Sequence, residues 1–445
     1  MSNGKKHRRP VTLKRDHARP RQTPRPADAV VEARLTELVS PATYALLDHY
    51  HRLGLRERIL TLPVSVALVL TLVWRQVPSV MELVRLLARE DLLWVPPTHV
   101  SQQAIDQRLR TLPGALFAEL WTRILPHLHA RATARTRPFT PVVRRTLRHF
   151  PRIWIVDAST LEALFTKIGV LRGVTQTALA GTILALLDLP THLPLQIWFD
   201  ADPAANEKRF LDQLKPSLEP GTLLLYDRGF YTFPFFDWLT DSGVFFLTRA
   251  RESATATVLQ TLHDSPHVHD RIIAFGQYRS NPCGHPVRLI ELQINTHWYR
   301  YLTNVLDPTQ LPPLDVADLY GHRWRIEDAF LHVKRLLGLA YLWTGSFNGI
   351  VLQLWATWLL YGVLVDLGDA VAEKLQVALP AISLEMVFRG LYHFTVAQSQ
   401  GRARDPVSYL AAPENADLGI VKPPRQQRQN QRRATLDTLR LELNL

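Results

Sequence analysis

The chain has 445 residues, 47% hydrophobic and 21% charged, with a formal net charge of +12 and a single cysteine, Cys283. That length holds about three ordinary domains, and the composition is that of a globular protein with a large core. One cysteine excludes any intramolecular disulfide and suits a reducing, cytoplasmic setting.

The charge is segregated. Residues 1–26 carry nine Lys and Arg against Asp16, residues 131–152 carry seven Arg and no acid, and residues 422–433 carry five Lys and Arg and no acid. Together these segments exceed the net charge, so the rest of the chain is net negative. Such segregation points to a polyanionic partner. No segment reads as a basic amphipathic anchor, so the expected polyanion is nucleic acid and not a membrane. No apolar core follows the basic N-terminus, so no signal peptide is expected.

In chain order, residues 1–26 are polar, basic and proline-rich, and should order only on binding. Residues 27–150 read as a helical N-terminal domain for DNA binding or positioning, ending in an arginine-rich connector. Ala27–Val39 has helical apolar spacing and precedes Pro41. Ile59–Trp74 is apolar, contains Pro63, and is short for a membrane span. Pro78–Glu90 opens on proline and puts Val80, Leu83, Leu86 and Leu87 on one side. Ser101 is a candidate N-cap for the helix that stops before Pro113. About ten residues separate these two helices, too many for the turn of a helix-turn-helix motif. Residues 131–152, with Pro138, Pro141 and Pro151, should run over the surface, where DNA could lie.

Residues 151–400 change character. Ile153–Val156, Leu179–Leu189, Leu195–Phe199, Thr222–Tyr226 and Gly243–Thr248 are strand candidates, with helices expected over Asn206–Leu214 and from Phe230 to Leu239. This alternation predicts an α/β layer, compatible with an RNase H-like core. Residues 251–310 hold further short strands, Arg271–Phe275, Val287–Gln293 and Trp298–Thr303, and read as a β-rich insertion. Phe347–Val365 is uncharged and long enough to cross a membrane, but it contains Asn348, Gln353 and Thr357 and is expected to be a core helix. Residues 401–445 read as a basic C-terminal tail.

The chemistry gathers on three acids. Asp157 and Asp227 each follow an apolar strand-like run, and strand ends in α/β layers point into a shared crevice. Downstream lies the stretch Tyr320–Lys334, YGHRWRIEDAFLHVK. On a helix, Tyr320, Arg323, Glu327 and Lys334 fall within an arc of about 60°, while Ile326, Ala329, Phe330, Val333 and Leu337 form an apolar face. Three carboxylates would repel one another without cations, and an oxygen-only set suits Mg²⁺ or Mn²⁺ over Zn²⁺. His263, His267, His269 and the Cys283–His285 pair match no common zinc-finger spacing.

The spacing Y-x2-R-x3-E-x6-K resembles the YREK signature of the insertion-sequence-4 family of DDE transposases. WIVDAST around Asp157 and Asp227-Arg228-Gly229-Phe230 resemble that family's first two acidic motifs. The resemblance covers roughly residues 100–400 and implies an RNase H-like fold in which Asp157, Asp227 and Glu327 bind two Mg²⁺, with Mn²⁺ able to substitute. It implies DNA cleavage at element ends followed by strand transfer, with a homodimer holding the terminal repeats in a nucleoid-associated setting. Tyr320, Arg323 and Lys334 would grip phosphates, beside Arg228. As the lone tryptophan of the insertion, Trp298 would be the residue that stacks a flipped base, although a tryptophan in a strand-like run is more often a core residue. Two other readings stay open: an RNase H-like nuclease without strand transfer, and a DNA-binding regulator with an inactive core.

Overall fold

The computed structural model describes residues 29–55, 57–161, 181–202, 205–251, 256–276, 282–338, 346–422 and 439. The basic segment 1–26 and, apart from Lys422, the basic segment 422–433 fall outside these residues, as does the rest of the C-terminal stretch except Leu439, which is buried.

The N-terminal part is helical: α1 (Ala29–Tyr44), α2 (Leu47–Arg52), α3 (Leu62–Trp74), α4 (Val80–Leu87), α5 (Gln102–Thr111), α6 (Ala115–Ala134) and α7 (Pro141–Thr146). The Ser101 hydroxyl caps α5 by accepting from the Ala104 amide at 3.2 Å. Pro41 does not end α1 but lies inside it. Nearly every residue of α3 is buried, so its apolar run is a core helix, as its length suggests.

A mixed sheet of nine strands follows: β1 (Arg152–Leu161), β2 (Gly181–Asp188), β3 (Pro194–Asp200), β4 (Thr222–Tyr226), β5 (Phe245–Arg249), β6 (Ala256–Asp264), β7 (Val268–Phe275), β8 (Val287–Ile294) and β9 (His297–Thr303). Their spatial order is β3-β2-β1-β4-β5-β9-β8-β7-β6. β1, β4 and β5 run parallel, while β2 and β3 add antiparallel on one side. The strands of the insertion form an antiparallel meander that joins the other side through β5 and β9. The short α8 (Leu211–Leu214) and α9 (Phe233–Asp241) lie between strands.

Strand periodicity explains the continuous apolar runs of β1 and β4. Ile153, Ile155, Leu223 and Leu225 point into an apolar cluster shared with the N-terminal helices. Trp154, Val156, Leu224 and Tyr226 point the other way, into a cluster with Phe230, Phe235 and Phe236. The sheet centre is therefore covered on both faces, which needs apolar residues at consecutive positions.

The helical layer closes with α10 (Pro313–Gly321), α11 (Arg325–Leu331), α12 (Phe347–Leu375), α13 (Leu384–Ser399) and α14 (Pro406–Leu410). The apolar segment of α12 long enough to cross a membrane is 94% buried inside the protein.

Two expectations need correction. β1 does not end at Asp157. It continues to Leu161, because Ala158, Ser159 and Thr160 keep pairing with Leu184, Ile183 and Thr182 of β2. Nor does the arginine-rich connector run over the surface throughout. α6 extends to Ala134, and beyond it Arg135 and Arg137 turn inward while Arg144, Arg145 and Arg148 stay exposed. Arg135 pairs with Asp366 at 2.5 Å and Asp369 at 2.9 Å, Arg137 pairs with Asp369, and Arg145 pairs with Asp315 at 2.5 Å. Asp366 and Asp369 lie on α12 and are 3% and 1% exposed. Buried carboxylates need paired cations, and the connector supplies them.

Candidate active site

The site begins with the position of Asp157 on β1. Residues two apart on a strand share a face, so Asp157 and Ser159 point the same way. Here β1 meets the helix of the Tyr320–Lys334 stretch, with α11 packed on it. That stretch is one helical rod of changing pitch: α10, a tight 3₁₀ turn over His322–Trp324, α11, and a π-turn over His332–Leu336. Its apolar residues Ile326, Ala329, Phe330, Val333 and Leu337 are buried, as the helical spacing predicts. Pitch changes of this kind recur at functional sites.

The polar stripe meets β1 side chain by side chain. Arg323 is buried, 7% exposed. Its guanidinium donates through one terminal nitrogen to Asp157 Oδ2 at 2.6 Å and through the other to Glu327 Oε1 at 2.7 Å. About two turns beyond Glu327, Lys334 Nζ donates to Ser159 Oγ at 2.6 Å and to the Thr160 carbonyl. Asp157 Oδ1 accepts from the Ala158 amide at 2.9 Å. Tyr320 is buried beside the Arg323 guanidinium, 5.9 Å from its ring centroid.

Asp227 follows β4 directly and caps a short 3₁₀ turn, accepting from the Gly229 amide at 2.7 Å. A side chain at Gly229 would have to displace the end of the Glu207 side chain. A Cβ on Gly229 would lie 2.6 Å from the Glu207 carboxyl carbon and 2.9 Å from Asp227 Oδ1. Glu207 thus stands beside Asp227, although nothing in the sequence marks it. Arg228 is exposed. Trp298 lies near the turn between β8 and β9, 41% exposed, with one face stacked on His269 at 4.8 Å. It is therefore not a core residue.

Burial dominates the electrostatics. It pushes the Asp157 carboxyl up to about 7; Arg323 opposes this shift, while the charges of Asp227 and Glu327 add to it. Burial likewise pushes the Tyr320 phenol up to about 12, with Arg323 opposing and Asp227 adding. Asp157 therefore lies within the electrostatic reach of both other acids. The donor chemistry fits hard divalent cations: three carboxylates, oxygen only, with one guanidinium shared between two of them. As they stand, however, no three His, Cys, Asp or Glu side chains among the described residues are gathered as metal ligands.

The sequence reading missed the partners. Ser159 could have been suspected, being two residues past Asp157 on a strand. The pairing of Arg323 with Asp157 joins residues 166 apart and had no local signal.

No curated protein matches the chain. Residues 148–362 match the family model of the transposase DDE domain. The match opens just before β1, ends inside α12, and contains Asp157, Asp227 and Glu327. Proteins with this domain act on DNA and generally use divalent metals. The match supports assignment of the chain to a DDE transposase family and suggests transposase activity.

Proposed function

We propose that the protein is a cut-and-paste transposase of the insertion-sequence-4 type, with Asp157, Asp227 and Glu327 as its catalytic carboxylates and Tyr320, Arg323, Glu327 and Lys334 as its YREK signature. The observation that supports this reading is the Arg323 guanidinium bridging Asp157 on β1 and Glu327 on α11, with the charge of Asp227 after β4 acting on Asp157. The order β3-β2-β1-β4-β5, with β1, β4 and β5 parallel, supports an RNase H-like core. On this reading residues 1–26 are a basic tail, 27–150 a DNA-positioning domain and 151–400 the catalytic domain with its insertion at 251–310; of the expected tail 401–445, α14 packs with the helical layer, so the basic part starts at Lys422.

Two Mg²⁺, or Mn²⁺ in their place, would activate the attacking oxygen and stabilise the leaving oxygen of a phosphodiester. The three carboxylates would hold these ions. Lys334, Arg228 and Tyr320 would bind and orient the DNA backbone at the element end, and Arg323 would join them once free of its carboxylates. Trp298 offers its uncovered face to a base. Water would first cleave one strand, and the released 3′-OH would attack target DNA or first the opposite strand, giving a hairpin; each attack would displace the 3′-oxygen of the phosphodiester it breaks, with a homodimer holding two ends.

Glu327→Gln keeps size and helix propensity but removes the charge that would hold a metal. In parallel cleavage and gel-shift assays on the element's end sequences, it should abolish cleavage in Mg²⁺ while leaving DNA binding intact or stronger. A folded Glu327→Gln protein that cleaves at the wild-type rate would falsify the reading.

A further inference from the structure

We propose that Arg323 is the resident counter-cation of this acidic site, and that it must leave Asp157 and Glu327 before those carboxylates take a divalent cation. The proposal rests on the reading of Asp157, Asp227 and Glu327 as metal ligands.

The guanidinium and a metal ion would compete for the same atoms. Arg323 holds Asp157 Oδ2 and Glu327 Oε1 at 2.6 and 2.7 Å, one terminal nitrogen to each. Hard cations bind carboxylate oxygens at about 2.0–2.6 Å, so an ion between Asp157 and Glu327 would fall on the space the guanidinium fills. A cation ligated there would also face a fixed positive charge within direct contact range.

Arg323 is built to move, in contrast with another buried arginine in the same molecule. Arg288 is fully enclosed and saturated. Its Nε and one terminal nitrogen fork onto both oxygens of Asp270 at 2.7 and 2.6 Å, and its other terminal nitrogen donates to the Leu311 carbonyl at 2.8 Å. Arg323 instead splits its two terminal nitrogens between separate carboxylates. Its Nε is buried without a hydrogen-bond partner, which forfeits part of what burial requires. One of its partners, Glu327, has a side chain 39% exposed. The exposed Trp324 ring lies 5.6 Å from the guanidinium and provides a surface along which it can swing toward solvent.

The test is direct titration of the full-length chain with Mn²⁺ alone, in the absence of DNA, reading free Mn²⁺ by electron paramagnetic resonance and fold by circular dichroism. R323Q removes the charge and should bind Mn²⁺ at least about tenfold more tightly than wild type. R323K keeps a cation and should stay near wild type. Adding E327Q to R323Q should remove the gain. Equal or weaker Mn²⁺ binding by folded R323Q overturns the proposal, as does a gain that survives E327Q. If Mn²⁺ binds wild type, R323Q and R323K equally and is lost in E327Q, the ligand reading stands and only the exchange fails. If none of these proteins binds Mn²⁺, the ligand reading itself falls, and the proposal with it.

Discussion

Two segments of this chain bury arginines against aspartates and differ in what those charges are for. The connector's Arg135 and Arg137 meet Asp366 and Asp369, aspartates that are themselves almost wholly buried. Arg34 of α1 and Arg131 of α6 converge on the same Asp366, at 2.7 and 3.2 Å. This is a clamp joining α1, α6 and the connector to α12. Arg323 is equally buried, but one of its carboxylates opens to solvent. Burial of the cation is thus the same in both regions, and the accessibility of the anion separates structural from functional charge. A buried pair broken on one side leaves an uncompensated charge, whereas a half-exposed carboxylate can be rehydrated or take another cation.

The largest expected effect tests the clamp. Asp366→Ala removes the acceptor of three arginines and leaves Arg135 in the interior with Asp369 as its remaining carboxylate. The cost should be about 3–5 kcal/mol, read as a drop in the midpoint of urea unfolding. Glu327→Gln should change stability by no more than about 1 kcal/mol, because that carboxylate is already partly solvated. If the two substitutions cost the same, the distinction between clamp and site disappears.

The next effect concerns Asp157, the buried partner of Arg323. Its folded-state carboxyl is raised to about 7 from 3.8, chiefly by burial. Below about pH 4 it is protonated in both folded and unfolded chains. Between about 4 and 7 only the folded chain keeps the proton, so stability falls as pH rises through that window. The metal-free protein should lose up to roughly 4 kcal/mol from this group. Unfolding measured against pH in EDTA, for wild type and Asp157→Asn, checks it. The stability advantage of wild type over the variant should shrink steadily from pH 4 to 7. A flat difference would mean that Arg323 holds Asp157 ionised throughout, making the pair as fixed as the clamp.

The same comparison explains what was legible in the sequence. β4 was readable to the residue, because a fully buried strand bounded by Gly221 and Asp227 needs an unbroken apolar run. The buried face of the motif helix was readable because helical period and burial coincide there. What could not be read was every pairing at long range. Nothing within the connector shows that Asp366 and Asp369 lie more than two hundred residues away waiting for it, so its charge looked available for DNA. The end of β1 was misplaced for a related reason. Asp157 looked like a strand terminus because it is the first polar residue after an apolar run, but β2 supplies pairing beyond it. Local pattern sets element identity and tertiary partners set element length.

The smallest effect lies at the far end of the stripe. Lys334 is half-buried and is held by Ser159 Oγ at 2.6 Å and by the Thr160 carbonyl. Ser159→Ala deletes the hydroxyl and leaves the carbonyl. Because the ammonium can recruit water in place of the hydroxyl, the loss in stability should be about 0.5–1.5 kcal/mol. Stability alone would not distinguish anchoring from packing, so the informative readout is the Lys334 amine itself. Its labelling by an amine-modifying reagent, followed by peptide mass spectrometry, should rise in Ser159→Ala and return to the wild-type level in Ser159→Thr, which restores a hydroxyl at the same position. Should labelling stay unchanged in the alanine variant, the other contacts of Lys334, the Thr160 carbonyl and the Phe330 ring among them, suffice to hold it. In that case β1 positions this end of the stripe by its strand geometry, and its side-chain hydrogen bond to the motif helix that matters is the one from Arg323 to Asp157.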